Sequence, residues 1–170
     1  MKTEQTDVLI IGAGPAGSVA AGILHNNNIR TVVVEKEKFP RFVIGESFLP
    51  RCMEALEEAG FMEDLKKQDF QTKNGALFLR GDEKCDFDFN TQYTKGWTWT
   101  WQVQRAKFDT CLTDNLVKRG VDLRFGQTVK AIEFQGSDSK TTIEDDEGNE
   151  YQIEAKFIMD ASGYGRVIPR

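Results

Sequence analysis

The sequence predicts an α/β fold: a Rossmann-like βαβ unit at the start, a late strand returning to the same sheet, and an antiparallel β-meander with hairpins inserted between them. Three observations predict it. Residues 7–36, DVLIIGAGPAGSVAAGILHNNNIRTVVVEK, run strand, glycine turn, helix, turn, strand. Short alternating segments separated by turn residues fill the middle of the chain. Finally, the apolar run Phe157 to Met159 leads directly into Asp160-Ala161-Ser162-Gly163.

The first unit carries the clearest chemistry. Val8 to Ile11 is a continuous apolar run suited to a parallel strand buried on both faces, and Thr31 to Val34 is a second, β-branched one. Between them the turn has glycine at Gly12, Gly14 and Gly17. Gly12 lets the chain turn sharply from strand to helix, Gly14 removes a side chain that would block a pyrophosphate, and Gly17 lets the helix pack closely on the strand. Pro15 suits the first helical turn, where a missing N–H is no loss. The free amides of that turn and the helix dipole both favour phosphate. Glu35, eighteen residues after Gly17, closes the second strand. Its carboxylate can accept hydrogen bonds from both hydroxyls of an adenosine ribose and would repel a 2′-phosphate, which disfavours NADP at this site.

After Glu35 the pattern changes. Pro40, Gly45 and Pro50 prevent a continuous helix through FVIGESFLP, so no crossover helix to a third parallel strand follows, as it would in an NAD dehydrogenase. A helix is expected from Arg51 to Ala59, stopped by Gly60, and a short one from about Met62 to Gln68. Ala76 to Leu79 and Cys85 to Phe89 flank the turn Gly81-Asp82 as a hairpin. Trp97 to Val103 alternates, placing Trp97, Trp99 and Trp101 on one face and Thr98 and Thr100 on the other. That stripe either packs as core beneath a sheet or lines an aromatic substrate pocket. Ala106 to Arg119 is helical with Gly120 as its stop, and Val129 to Phe134, Thr141 to Glu144 and Tyr151 to Ile153 form a meander.

Composition narrows the chemistry. The 170 residues carry a net charge of −5, with acid concentrated in Glu144-Asp145-Asp146-Glu147, which argues against nucleic acid or an anionic membrane as the main partner. Cys52, Cys85 and Cys111 form no C-x-x-C pair, so neither a disulfide framework nor a metal site is expected, and a reducing cytoplasm fits. Val8 to Ile11 is too brief for a signal sequence or membrane span. His25, the one imidazole, stands before Asn26-Asn27-Asn28 at a helix end, so a Ser-His-Asp hydrolase is not expected and the chemistry points to a cofactor.

FPRFVIGESFLP (39–50), FQTKNGALF (70–78), WQVQRAKFDTCL (101–112) and DASG (160–163) extend the match beyond the glycine turn. The β-α-β opening, long insertion and late strand resemble the FAD domain of the para-hydroxybenzoate hydroxylase-like flavoproteins. The four motifs look like those of flavin-dependent halogenases and related geranylgeranyl reductase-like oxidoreductases. In that architecture the late strand lies beside the first one and the meander covers the far side of the sheet. The resemblance implies FAD, with Gly12, Gly14, Pro15, Ala16, Gly17 and Glu35 on its ADP half and Lys36 and the backbone of Val129 beside the adenine. It implies Ser47 near the phosphates or the flavin edge, and Asp160 with Gly163 completing the phosphate side. Arg105 is implied on the pyrophosphate or ribityl chain, where a cation suits two phosphate charges; otherwise it is a surface charge at a helix start. Lys73 takes the place of the lysine with which such halogenases relay hypohalous acid to substrate, where a desolvated amine is reactive; as a neighbour of Asn74-Gly75 it could equally be a solvated turn residue. The WTWTW run continues into Gln102-Val103, so it is not the W-x-W-x-I-P signature of tryptophan halogenases.

The expected function is therefore that of an FAD-dependent oxidoreductase, of the monooxygenase or halogenase type, acting on a small-molecule substrate of aromatic or isoprenoid character. A flavin reductase or NAD(P)H would supply electrons. An FAD-dependent reductase of alkene or isoprenoid groups is the alternative, and a noncatalytic nucleotide-binding module the third. Because the family continues past DASG into a substrate domain and a Gly-Asp motif, residues 1–170 are expected to be an incomplete FAD-binding domain, the N-terminal portion of a longer flavoprotein.

Overall fold

The computed structural model describes residues 2–168. Strand β1 (Lys2–Ile11), helix α1 (Pro15–Asn26) and strand β2 (Thr31–Glu35) form the expected βαβ unit. Val8 to Ile11 pair in parallel with Thr31 to Val34, and all five residues of β2 are buried, as a strand covered on both faces requires. The insertion comprises α2 (Arg51–Glu58), α3 (Met62–Lys66), β3 (Gln71–Lys73), the hairpin β4 (Gly75–Arg80) and β5 (Glu83–Asp88), β6 (Thr100–Gln102) and α4 (Arg105–Lys118). Four strands follow: β7 (Asp122–Phe125), β8 (Thr128–Gln135), β9 (Asp138–Glu144) and β10 (Glu150–Asp160). Among the described residues, no helix is long and apolar enough to cross a membrane.

The main sheet has the order β7-β2-β1-β10-β9-β8. β10 runs parallel to β1 from Lys2↔Tyr151 to Ile11↔Asp160, so the late strand does lie beside the first. Two segments that look separate in sequence, Tyr151 to Ile153 and Phe157 to Met159, are one strand of 11 residues. Its first half also pairs antiparallel with β9, and that pairing carries the backbone through Glu154 and Ala155, where no apolar run announces a strand. β1 likewise begins at Lys2, because its polar half is held by hydrogen bonds to β10 rather than by burial.

A third parallel strand, absent from the pattern after Glu35, is present after all: β7 pairs with β2 in the register Val32↔Asp122. It arrives only after the whole insertion, and its sequence DLRF has no apolar run to reveal it. Instead Arg124 is neutralised by Asp122 and Glu4 at 2.6 and 2.7 Å.

Alternation along the strands separates two cores. Val8, Ile10 and Val33 face the helices, packing with Met53, Phe61, Leu65, Phe108 and Leu112. Leu9, Ile11, Val32 and Val34 face the meander, packing with Ile143, Ile153 and Ala155. The meander thus covers the far face while remaining hydrogen-bonded into the same curled sheet. The tryptophan run is mostly core. β6 covers only its end, yet the rings of Trp97, Trp99 and Trp101 stand edge to face in a row, with centroids 5.2 and 5.3 Å apart. Trp101 is buried, and the other two pack half-buried on the same cluster. By contrast the β4–β5 hairpin pairs with no further described strand, and Leu77, Phe78 and Leu79 are 59%, 60% and 63% exposed.

Arg119 ties three helix ends together. Its guanidinium donates to the Ala59 carbonyl at 2.8 Å, Asn26 Oδ1 at 2.6 Å, Asn115 Oδ1 at 3.1 Å and the Gly22 carbonyl at 3.4 Å. These acceptors lie at or near the C-terminal ends of α1, α2 and α4, where carbonyls lack helical partners and a cation is favoured. Arg119→Ala is expected to lower stability by about 1.5–3 kcal/mol in urea denaturation. Arg119→Lys should recover only part of it, since one amine cannot span acceptors on three elements.

Candidate functional site

β1, β2 and β10 end side by side at Ile11, Glu35 and Asp160. Beyond the carboxyl ends of these strands lies a cleft of about 310 Å³ whose walls include Gly12, Glu35, Lys36, Arg41, Val129 and Ser162. This is where parallel α/β sheets bind ligands, because the connecting turns diverge there and expose backbone amides.

The three glycines of the turn have different reasons to be glycine. At Gly12 the backbone has φ +101°, and a Cβ would come 2.6 Å from the Ala161 carbonyl oxygen. At Gly17 a Cβ would come 1.9 Å from the Gly12 carbonyl oxygen. Both are demanded by the fold. Gly14 is not: its φ of −66° and ψ of −176° suit any residue, and a Cβ would meet only an Arg41 Nη2 at 3.4 Å. No side chain caps α1 and no acid lies in its first turn, so the amides of Ala16 and Gly17 lack acceptors beside that space. Pro15 opens the helix half-buried and Ala16 is exposed.

Glu35 is 4% exposed and stitches two turns together. Its Oε2 accepts from Ala13 N at 2.8 Å and its Oε1 from Glu37 N at 2.9 Å. Lone-pair capacity remains on the carboxylate. Arg41, which the residue pattern does not single out, stands over it. The Arg41 Nη1 lies 3.4 Å from Glu35 and 3.3 Å from Glu37, its Nη2 3.9 Å from Asp109, and its buried Nε has no partner. Charge-assisted bonds normally close to about 2.7–2.9 Å, so Arg41 is ringed by acids and tightly bound by none. Nothing local marks it within the charged run EKEKFPR; only the turn of the chain after Phe39 brings it to the cleft.

Arg105 begins α4 rather than preceding it, and it is clamped. Nε and Nη2 donate to the two oxygens of Asp109 at 2.8 and 2.9 Å, and Nη1 reaches the Gly45 carbonyl at 3.4 Å. Asp109 is 1% exposed. The i,i+4 spacing of this pair is visible in RAKFD, so Asp109 could have been found from sequence. Ser47 and Lys73 meet away from the glycine turn: Lys73 Nζ donates to Ser47 Oγ at 2.7 Å and to the Phe48 carbonyl at 3.2 Å, and lies 5.3 Å from the Phe89 ring centroid. Strand β6 organises this pair, since Ser47 bridges to Gln102 and Lys73 pairs with Thr100.

A family model described as FAD binding domain matches residues 5–168. The chain belongs to the FAD-binding domain family. It is similar to the crystal structure of a flavoprotein/dehydrogenase from Cytophaga hutchinsonii, with 58% identity and a TM-score of 0.93 over 98% of this chain and 41% of that one. The myxobacterial chondrochloren halogenase CndH is 32% identical, with a TM-score of 0.83 over 93% of this chain and 37% of that one. Flavin-dependent halogenase armH3 of Armillaria mellea is 34% identical over 93% of this chain and 32% of its own length. The chain thus spans about a third of the length of the curated relatives it first matches.

In this FAD-binding domain Lys36 and Val129 stand in the cleft wall, whereas Asp160 and Gly163 do not. Gly163 is exposed. Asp160 builds the wall from behind: its Oδ1 accepts from Ser162 N at 3.0 Å and from the Ser162 hydroxyl, and its Oδ2 from Ile168 N at 2.9 Å. Burial pushes this carboxyl up, but the hydrogen bonds from Ile168 and Ser162 outweigh it and hold the group below its ordinary value of 3.8. The resulting stabilisation is present above pH 3.8 and is lost as pH falls through the lower folded-state value. Asp160→Asn should therefore flatten the acid limb of stability against pH, followed by urea denaturation. Gly17→Ala should cost at least about 3 kcal/mol because backbone must move, whereas Gly14→Ala should stay within about 1 kcal/mol of wild type in the same assay.

Proposed function

We propose that this domain serves a flavin-dependent oxidoreductase of the halogenase or monooxygenase kind, and that the FAD diphosphate lies over Gly14. The observation that carries the reading is the side-chain space left at Gly14, bordered only by Arg41, which the fold itself does not require. When bound, FAD supplies two-electron redox chemistry that protein side chains lack. The amides of Ala16 and Gly17, with Gly12, Gly14 and Pro15 shaping the turn, would cradle the diphosphate, and Arg41 and Arg105 would balance its charge. Glu35 would accept the ribose hydroxyls on its remaining lone pairs, where a 2′-phosphate would meet its charge. Lys36 and the Val129 backbone would flank the adenine, and Asp160, behind the wall, would hold Ser162 and the turn through Gly163 in place.

Lys73, with Ser47 as its neighbour, is the proposed halogen-handling amine. An aromatic small-molecule substrate is supported by relatives named tryptophan 2-halogenase and sulochrin halogenase. Electrons would come from a flavin reductase or NAD(P)H. A second reading, a dehydrogenase or reductase that needs no oxygen, is favoured by the 58% identity to a protein described as a flavoprotein/dehydrogenase.

Titration with FAD, followed by quenching of flavin fluorescence, tests the first claim. Wild type should saturate, and Gly14→Ala should bind at least about tenfold more weakly while unfolding normally; equal affinity would refute the site. Oxygen uptake by the reduced full-length enzyme separates the two activities. Halogenation that survives Lys73→Ala in that enzyme would remove Lys73 from the mechanism.

A further inference from the structure

Four charged side chains follow one another from the cleft toward the 45–48 loop: Glu35, Arg41, Asp109 and Arg105. Their signs alternate, and their contacts run 3.4 Å from Glu35 to Arg41, 3.9 Å from Arg41 to Asp109 and 2.8 Å from Asp109 to Arg105. Asp109 is the buried member, 1% exposed, and it is absent from the cleft wall that Arg41 helps to form. One of its oxygens, Oδ2, receives Arg105 Nη2 at 2.9 Å and faces Arg41 Nη2 at 3.9 Å. A single carboxylate therefore stands behind both guanidiniums and sets their separation.

The form of the Arg105 contact matters. Asp109 takes the Nε–Nη2 edge as a fork and leaves Nη1 turned toward Gly45, where an added Cβ would meet it at 3.3 Å. A guanidinium held on one edge offers its remaining N–H groups in a fixed plane, which is the geometry that suits phosphate oxygens. Arg41 complements it: its Nε is buried without an acceptor, and its three acidic neighbours lie too far for tight bonds. An anion entering beside Gly14 would give Arg41 the close partner it lacks without displacing Asp109 from Arg105.

We infer that Asp109 is a positioning residue for diphosphate recognition: it touches no ligand, but presents Arg105 by its fork and Arg41 by its shared oxygen. This rests on the reading that a dinucleotide diphosphate occupies the cleft. It makes a selective prediction, because adenosine lacks the groups the two arginines would meet, whereas ADP carries them.

Isothermal titration of the chain with adenosine and with ADP tests it, using wild type, Asp109→Asn, Arg105→Ala and the double variant. Asn keeps the shape but replaces one acceptor oxygen by a donor, breaking the fork. Asp109→Asn should weaken ADP about tenfold and leave adenosine within about twofold, and its effect should be smaller in the Arg105→Ala background, where only the Arg41 contact is left to lose. Unchanged or tighter ADP binding would overturn the inference, as would a parallel loss for adenosine or a loss fully additive with Arg105→Ala. Should Asp109→Asn fail to fold, wild type alone decides by NMR: the Arg105 Nε–H should be protected from exchange both free and with ADP. Exchange as fast as that of a surface arginine, or protection that vanishes when ADP binds, would overturn it. A wild-type chain that binds adenosine but gains nothing from ADP's phosphates would instead sink the cleft reading on which this one rests.

Discussion

The close meeting of three chain segments at Gly12 is the constraint from which the rest follows. Gly12 N donates to the Val34 carbonyl at 2.8 Å, and Ala161 N donates to the Ile11 carbonyl at 2.8 Å. The space around Gly12 is so filled by the backbone of Ala161 and Ser162 that no side chain fits. Strand β1 is thereby locked between β2 and β10 at the end where α1 begins, and the Glu35 bond to Ala13 N closes the last gap. Helix α1 therefore starts directly from this junction, and no side chain caps its first turn. A site made this way is as rigid as the sheet that carries it.

What could be read in the sequence followed from local cause. The strands Val8 to Ile11 and Thr31 to Val34 announce themselves by uninterrupted burial, and Gly12 and Gly17 by their spacing in the turn between them, although the contact that excludes a side chain at Gly12 comes from Ala161 at the far end of the chain. β7 could not be read, because DLRF is held by strand pairing and by ion pairs to a residue at the other end of the chain. The continuity of β10 through Glu154 and Ala155 was hidden for the same reason. Within the site, Glu35 was singled out by its spacing from the glycine turn and Arg105 by the family resemblance. Arg41 was not, because its position depends on how a loop without regular structure crosses the cleft. Asp160 was singled out by the resemblance alone, and the amides it accepts from belong to the turn that follows it, which no local pattern announces.

The arrangement separates two kinds of work. In the proposed reading, backbone amides and the glycine space would handle shape, from the ends of the parallel strands. Charge would be handled from the insertion, by Arg41 in the loop after β2 and by Arg105 and Asp109 on α4. Lys73 and Ser47 form a third group, joined to the second through the segment from Gly45 to Phe48. That short loop touches both groups, so a shift there would move the arginine and the lysine together.

The β4–β5 ribbon has two unequal sides. β5 reads EKCDFD, so acids interrupt it at Glu83, Asp86 and Asp88, and stacking one copy's β5 on another's would bring like charges face to face. β4 has no such guard over Ala76-Leu77-Phe78-Leu79, and its outer row of amides and carbonyls pairs with no other described strand. Among the described residues this edge is therefore left open to strand addition, with neither charge nor proline along its apolar stretch to discourage it.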